Sequence, residues 1–372
     1  MQKKAVVCVT NDLSTDQRVH KSCMALSKCN YRVLEYGRIL PGSLPLDRPY
    51  QTRRIKHIFN KGPLFYAEYN IRLFFFLLFT PVDLIFANDL DTLPAALLVS
   101  RLRKKEIIYD SHEYYTETPE LTGRPKVQGI WKWIEAKCFP YLNHIITVNQ
   151  SIAHLFENDY GKKLHVVRNI PPTYEPDQIK SREELGLPAD KTLLIIQGSG
   201  INIDRGAEEA CRAMHYLEGY VLVIIGGGDV IPVLKKMVEE LNLSDKVLFK
   251  DKMPFKDLRQ YTMNCELGLT LDKDTNINYR FSLPNKLFDF IHSGIPVLSS
   301  RLPEIENIID SYQVGFFIEN HDPKHIAERI QYVFGNPSDF EQTKLNTAKA
   351  KSILNWEVEE NILIGIINTI KA

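Results

Sequence analysis

The chain has 372 residues, enough for two domains that each bury a core of their own. Its 44% hydrophobic and 25% charged residues describe a globular protein, 46 basic residues balance 46 acidic ones, and the six scattered cysteines form no CxxC pair and no metal spacing, so neither a disulfide framework nor a zinc site is suggested. The longest apolar run, residues 73–79, lies between Arg72 and Pro81 and falls well short of the ~20 residues of a membrane span, so a core helix is expected there.

The amino-terminal MQKKAVVCVTND has too few apolar residues for a signal peptide and enough for a buried strand, so a cytoplasmic location is expected. Residues 4–10 predict that strand, a helix follows with Val19, Cys23 and Leu26 on one face, and residues 31–36 predict a second strand. The first turn, NDLSTDQR, has no glycine, so the dinucleotide fingerprint is absent and no nicotinamide cofactor is expected. Strand and helix patterns then alternate: 82–88, a helix to Leu102, 105–113, a long helix near 125–141, and 144–149. This order predicts an α/β, doubly wound parallel sheet. Two of its strands end in polar clusters, Asn88, Asp89 and Asp91, and Asp110, Ser111, His112 and Glu113, and such sheets bind ligands beyond the carboxyl ends of their strands.

The segment NIPPTYEPDQ (169–178) carries three prolines and is the expected linker. A second α/β unit follows, with strands at 192–200, 220–229, 247–251, 267–271, 295–300 and 314–320 and a helix expected from Gly206 to Leu217. Gly198 and Ser199 end one strand, Gly226, Gly227, Gly228 and Asp229 end the next, and Arg205 opens the helix between them. Glycines there admit a phosphate or ribose against the backbone, or serve a tight turn. In NYRFSLPNKLFDFIHSGIPVLSS, Pro284 is placed in the first turn of a helix that Gly294 ends. Asn285, Lys286 and Asp289 then share a polar face near its amino end, where a phosphate would sit.

Together DQRVHKSCMAL, IFANDLDTLPAAL, IIYDSHE, TVNQSIAHLF, VVRNIPP, the Arg205–Gly206 pair, 224–229 and SLPNKLFDFIHSGIPVLSS with LPEIENII resemble glycosyltransferase family 4, over nearly the whole chain. The resemblance implies a GT-B fold, two doubly wound Rossmann-like domains facing a cleft: 1–172 on the acceptor side, 173–352 for the nucleotide sugar, and a helix at 353–372 returning to the first domain. It implies metal-independent transfer of a hexosyl group from a nucleoside diphosphate sugar to a glycan or lipid-linked acceptor, with retention of configuration and without a cofactor, in cell-surface polysaccharide synthesis. His112, Arg205 and Lys286 would be catalytic, with His112 contacting the donor sugar. Gly198, Ser199, Gly226, Gly227, Gly228, Asp229, Pro284, Asn285 and Asp289 would hold the donor, and Asp16, Arg18, Asn88, Asp89 and Asp91 would meet the acceptor. The family's paired glutamates are replaced here by Phe281 and Asp289. A nucleotide-sugar epimerase of the same fold and a non-catalytic nucleotide-binding subunit are the alternatives.

The charge is uneven: residues 1–172 hold 24 Lys/Arg and 16 Asp/Glu, and residues 173–372 hold 22 and 30, giving +8 and −8. Arg124, Lys126, Trp131, Lys132, Trp133 and Lys137 lie along one expected helix, and Arg101, Arg103, Lys104 and Lys105 form a second cluster. Basic and aromatic residues in this arrangement suit an anionic membrane surface, so peripheral association at the inner face is expected; the other reading puts Trp131 or Trp133 in the core. No motif points to nucleic acid.

Overall fold

The computed structural model describes residues 2–14 and 16–370, Pro119 by its backbone alone. They form two units, Met1–Asn169 with Glu357–Ala372, and Ile170–Trp356. The breaks fall at 169/170 and 356/357, against 172/173 and 352/353 drawn from the sequence. Ile170 is fully buried in the second unit's core, which is why that unit begins before the prolines.

Unit 1 runs β1 (Lys4–Asp12), α1 (Gln17–Lys28), β2 (Arg32–Arg38), β3 (Gln51–Ile55), α2 (Gly62–Phe79), β4 (Leu84–Asn88), α3 (Leu93–Arg103), β5 (Glu106–Ser111), α4 (Pro119–Thr122), α5 (Pro125–Cys138), β6 (His144–Thr147), α6 (Gln150–Tyr160) and β7 (His165–Val166). Its seven strands are ordered β3-β2-β1-β4-β5-β6-β7, with parallel pairing throughout. The central strands are apolar along their length because both faces are covered: Val6, Val7, Ile85, Phe86 and Ile108 are buried whichever way they point. The pattern 31–36 and its neighbours gave no sign of β3. Its sequence, QTRRI, lies at the sheet edge with Gln51, Thr52 and Arg53 exposed, so it has no buried face to impose an apolar alternation.

Helix α2 holds the apolar run at 73–79, but only one stripe faces the core. Phe65, Tyr69, Leu73 and Leu77 recur every four residues and are buried, while Ile71, Phe75 and Phe79 are each more than half exposed. The helix expected at 125–141 ends at Cys138 and tightens into a 3-10 turn at Phe139–Tyr141. At the other end of the chain, α15 (Trp356–Thr369) is tied to unit 1 through Glu359, which accepts from the Arg168 backbone and Nε, both at 2.7 Å.

Unit 2 runs β8 (Thr192–Gly198), α7 (Ala207–Ala213), β9 (Tyr220–Gly226), α8 (Ile231–Glu240), β10 (Val247–Lys250), α9 (Phe255–Thr262), β11 (Leu267–Thr270), α10 (Ile277–Arg280), α11 (Asn285–His292), β12 (Val297–Ser300), α12 (Pro303–Tyr312), β13 (Gly315–Ile318), α13 (Pro323–Gly335) and α14 (Pro337–Lys351). Strand order is β10-β9-β8-β11-β12-β13, again parallel. The chain reverses its direction of travel across this sheet between β8 and β11, the position beside which open parallel sheets bind their ligands. Helix α7 is shorter than the 206–217 expected, ending at Ala213 in a 3-10 turn over Met214–Tyr216.

Candidate functional site

In unit 2 the residues singled out from sequence gather at the carboxyl edge of the sheet. Asp272, just beyond β11, is their hub: it is fully buried, Oδ1 accepts from Arg205 Nη1 at 2.6 Å, and Oδ2 lies 3.1 Å from Lys286 Nζ. Thr270 Oγ1 also donates to Oδ2, at 2.9 Å. Burial opposes charge on this carboxyl, but Lys286 and Arg205 outweigh it and hold it below the usual carboxylate range. The Arg205 guanidinium lies over the Tyr279 ring at 4.1 Å, and its buried Nε has no hydrogen-bond acceptor among the described residues. Both cations keep part of their surface, with side chains 26% (Arg205) and 14% (Lys286) exposed.

Helix α11 starts one residue later than the sequence suggested. Pro284 is its N-cap rather than a first-turn residue, because its backbone is extended (ψ 137°) while its carbonyl already accepts from Leu287 N at 3.1 Å; with no side-chain oxygen it caps none of the first amides. Asn285 and Lys286 thus occupy the first turn, whose backbone amides have no acceptor within the helix and favour an anion. One turn on, Asp289 Oδ2 accepts from Gln197 Nε2 at 3.3 Å, and Gln197 Oε1 accepts from Thr262 Oγ1 at 2.7 Å.

The glycines have a structural task. Gly226 has φ +135°, and a Cβ there would stand 1.8 Å from the Gly198 carbonyl oxygen; Gly228 has φ +155°, and its Cβ would stand 2.0 Å from that of Ile201. Gly227 N donates to Gly198 O and Ile201 N to Gly227 O, knitting the two loops together. Gly227 itself faces open space, and Ser199 and Asp229 are exposed beside it.

Unit 1 builds a second cluster on β4 and β5. Asp89 takes a left-handed conformation (φ +58°), and its Oδ1 accepts from the His112 amide at 2.9 Å while Oδ2 lies 3.1 Å from His112 Nδ1. His112 Nε2 lies 3.2 Å from Asn88 Oδ1 and 3.4 Å from Asp110 Oδ2. Arg18 closes the network with Nε and Nη2 on Asp110 (3.1 and 2.6 Å) and Nη1 on the Val167 carbonyl. Burial lowers the His112 pKa, yet Asp89 and Asp110 overcome it and raise it to about 10. Asp110 is carried the other way, to about 2, because Arg18 and His112 outweigh its burial. Both ring nitrogens of His112 face acceptor oxygens, an arrangement that favours the protonated ring as a hydrogen-bond donor.

Three residues expected to face an acceptor are buried instead. Arg18 is committed to Asp110, Asn88 donates to the Cys8 carbonyl at 2.9 Å, and Asp91 Oδ2 accepts from Thr10 at 2.6 Å with its pKa raised by burial to about 7. Asp16 caps α1 by accepting from Val19 N. Asp272, Gln197, Thr262 and Tyr279 were missed. Only Asp272 left a trace, as a carboxylate directly after the apolar run LGLTL.

The imidazolium gives a pH dependence with a definite sign. Because the folded-state pKa of His112 lies above its ordinary 6.5, its contribution to stability is complete below that value and is lost as pH rises toward about 10. Between about pH 6.5 and pH 9.5, wild type should lose more stability in urea titrations than His112→Gln. Equal losses would mean that the ring is not charged in the folded state.

Residues 17–171 match the model of glycosyltransferase family 4, and residues 177–350 that of glycosyl transferases group 1. A chitobiosyldiphosphodolichol beta-mannosyltransferase from Debaryomyces hansenii is 21% identical over 350 residues, which cover 81% of this chain and 72% of that protein. Among solved structures, a sucrose-phosphate synthase from Thermosynechococcus elongatus superposes with a TM-score of 0.79 at 15% identity over 99% of both chains. Anabaena HepE in complex with UDP-glucose gives 0.74 at 13% identity, over 99% of this chain and 100% of that one. The two matched regions, five residues apart, between them take in both clusters and every strand but β1, so this GT-B protein belongs to glycosyltransferase family 4.

Proposed function

We propose that the protein transfers a hexosyl group from a nucleoside diphosphate sugar, and that unit 2 holds the donor. The observation that carries this reading is the meeting of Arg205 and Lys286 at one point on the sheet edge, beside the α11 amino terminus and the glycine loops. Two fixed cations and a helix amino end suit a diphosphate whose negative charge grows as the glycosidic bond breaks. They supply the positive charge that a metal ion would otherwise bring, so transfer is proposed to be metal-independent and without a cofactor. Asp289, oriented by Gln197, is assigned to the ribose hydroxyls, and Ser199, Gly227 and Asp229 to the donor's polar groups.

In unit 1, His112 is assigned as a donor to a sugar hydroxyl and Asp89 to the acceptor side; Asp91, buried on Thr10, is left out of that assignment. Retention of configuration follows from the family resemblance and suits an imidazolium held by carboxylates, which cannot take a proton from the acceptor. A glycan or lipid-linked acceptor is supported by a relative whose name specifies a dolichol-linked acceptor, and a place in cell-surface polysaccharide synthesis is proposed on the family resemblance alone.

The expected basic patch is smaller than its sequence. Arg103 Nη1 donates to the Leu77 and Thr80 carbonyls (2.7 and 2.6 Å) at the α2 end, Lys105 pairs with Asp83 at 3.0 Å, Lys132 pairs with Glu117, and Trp131 is buried against Tyr66 and Tyr115. Lys104, Trp133 and Lys137 remain exposed. Beside them α2 and α3, packed together, present Ile71, Phe75, Phe79, Leu98 and Leu102, each more than half exposed. None of the described helices is long and apolar enough to cross a membrane. A peripheral contact between this apolar, cation-edged surface and the anionic inner face of the cytoplasmic membrane is therefore proposed.

Transfer assays and vesicle sedimentation test the reading. Arg205→Ala and Lys286→Ala should each reduce transfer by about 10²-fold, roughly 3 kcal/mol in the barrier, with cooperative unfolding retained. Wild-type transfer should survive EDTA and give a retained anomer by NMR. Wild-type rates in either variant, or activity that returns only with magnesium, would remove this assignment. In vesicle sedimentation, the protein should bind anionic but not neutral vesicles, less at high salt, and less after Phe75→Ser with Phe79→Ser or after Lys104→Glu. No binding to either vesicle would overturn the membrane assignment.

A further inference from the structure

Asp272 belongs to none of the motifs that mark the donor site, yet both proposed diphosphate ligands converge on it. A carboxylate with no exposed side-chain surface is costly unless it is paired, and here two cations and the Thr270 hydroxyl hold it charged. Stability alone does not account for the arrangement, since a buried ion cluster is often matched or exceeded by apolar residues of the same volume. A negative charge beside a diphosphate site also weakens the site's attraction for its ligand. What the carboxylate does provide is geometry.

Arg205 and Lys286 come from different segments, one before α7 and one in the first turn of α11, and as like charges they repel. With Oδ1 on Arg205 and Oδ2 on Lys286, the carboxylate spans them and fixes their separation, while the Thr270 hydroxyl, at the end of β11, fixes the carboxylate. Each cation gives part of its donor capacity to Asp272. A guanidinium has five N–H donors and an ammonium three, so donors remain for a ligand on each.

We propose that Asp272 is a positioning residue for glycosyl transfer, acting through Arg205 and Lys286 to hold both cations on one diphosphate. The inference rests on the donor assignment above and adds a residue to it. It also gives the site an unusual signature. Removing the Asp272 charge leaves the ground-state attraction between cations and diphosphate intact or stronger, but releases the fixed geometry on which transition-state stabilisation depends.

Asp272→Asn preserves the volume and removes the charge; with its amide oxygen toward Thr270 and Lys286 it turns an NH2 donor toward Arg205, which then loses its acceptor. It should lower kcat by about 10²-fold, the scale of a misplaced catalytic group, while calorimetry finds nucleoside diphosphate bound at least as tightly as by wild type. In a Lys286→Ala background the same substitution should cost at least about tenfold less, because one of the two side chains it acts through is gone. A merely structural role would weaken diphosphate binding together with kcat, and would cost the same in both backgrounds; either result overturns the proposal, as does an unchanged kcat. Should Asp272→Asn fail to unfold cooperatively, Thr270→Val removes only the hydroxyl contact and should lower kcat about fivefold with diphosphate binding unchanged. Unchanged kcat in Thr270→Val would then count against the proposal. Wild type that binds no nucleoside diphosphate would instead defeat the donor assignment, so the two failures are distinct.

Discussion

A buried aspartate shared by two cations is the constraint on which both units depend. Asp110, the next-to-last residue of β5, is shared by Arg18 and His112; Asp272, two residues past β11, is shared by Arg205 and Lys286. An unpaired carboxylate in either place would cost a large fraction of the ~5–15 kcal/mol by which a domain is stable. Compensation is thus required, and it fixes four cationic side chains at the carboxyl edges of two parallel sheets. The consequences differ. In unit 1 the arrangement makes an imidazolium out of His112, and in unit 2 it leaves two partly exposed cations pointing at one place.

Much of this architecture was legible in the sequence because it is local. Continuous apolar runs of four to seven residues became buried parallel strands, and the spacing of Leu287, Phe288 and Ile291 became the buried face of α11. What was not legible depends on pairing across long separations. Arg18 and Asp110 are 92 positions apart and Arg205 and Asp272 are 67, so no periodicity connects them. Arg18 thus read as an exposed contact, and Asp272 was overlooked. The β3 edge strand escaped notice for the opposite reason, since an exposed edge imposes no pattern. The glycines after β9 were noticed, but their cause is backbone packing of one loop on another, which sequence cannot separate from ligand contact.

Net charge gave a similar lesson. The first 172 residues carry +8, yet Arg18, Arg103, Lys105 and Arg168 are all engaged by carboxylates or carbonyls within their own unit. The field that a partner meets is therefore set by the fewer cations left exposed, such as Lys104 and Lys137, and by the apolar side chains of α2 and α3 beside them. Composition marked the unit that is basic, and only the fold distinguishes cations that face water from those that cap helices.

The central claim is that the Arg205–Lys286 pair is a diphosphate site, and ligand-dependent melting of the intact protein tests it most directly. A panel of nucleoside mono- and diphosphates should contain a diphosphate that raises the melting temperature, stabilising the fold by ~2.7 kcal/mol at a hundred times its dissociation constant. The matching monophosphate should do far less, and Lys286→Ala should abolish the difference between them. If no nucleoside diphosphate shifts the transition, or if the mono- and diphosphate shift it equally, the site does not read a diphosphate and the account fails.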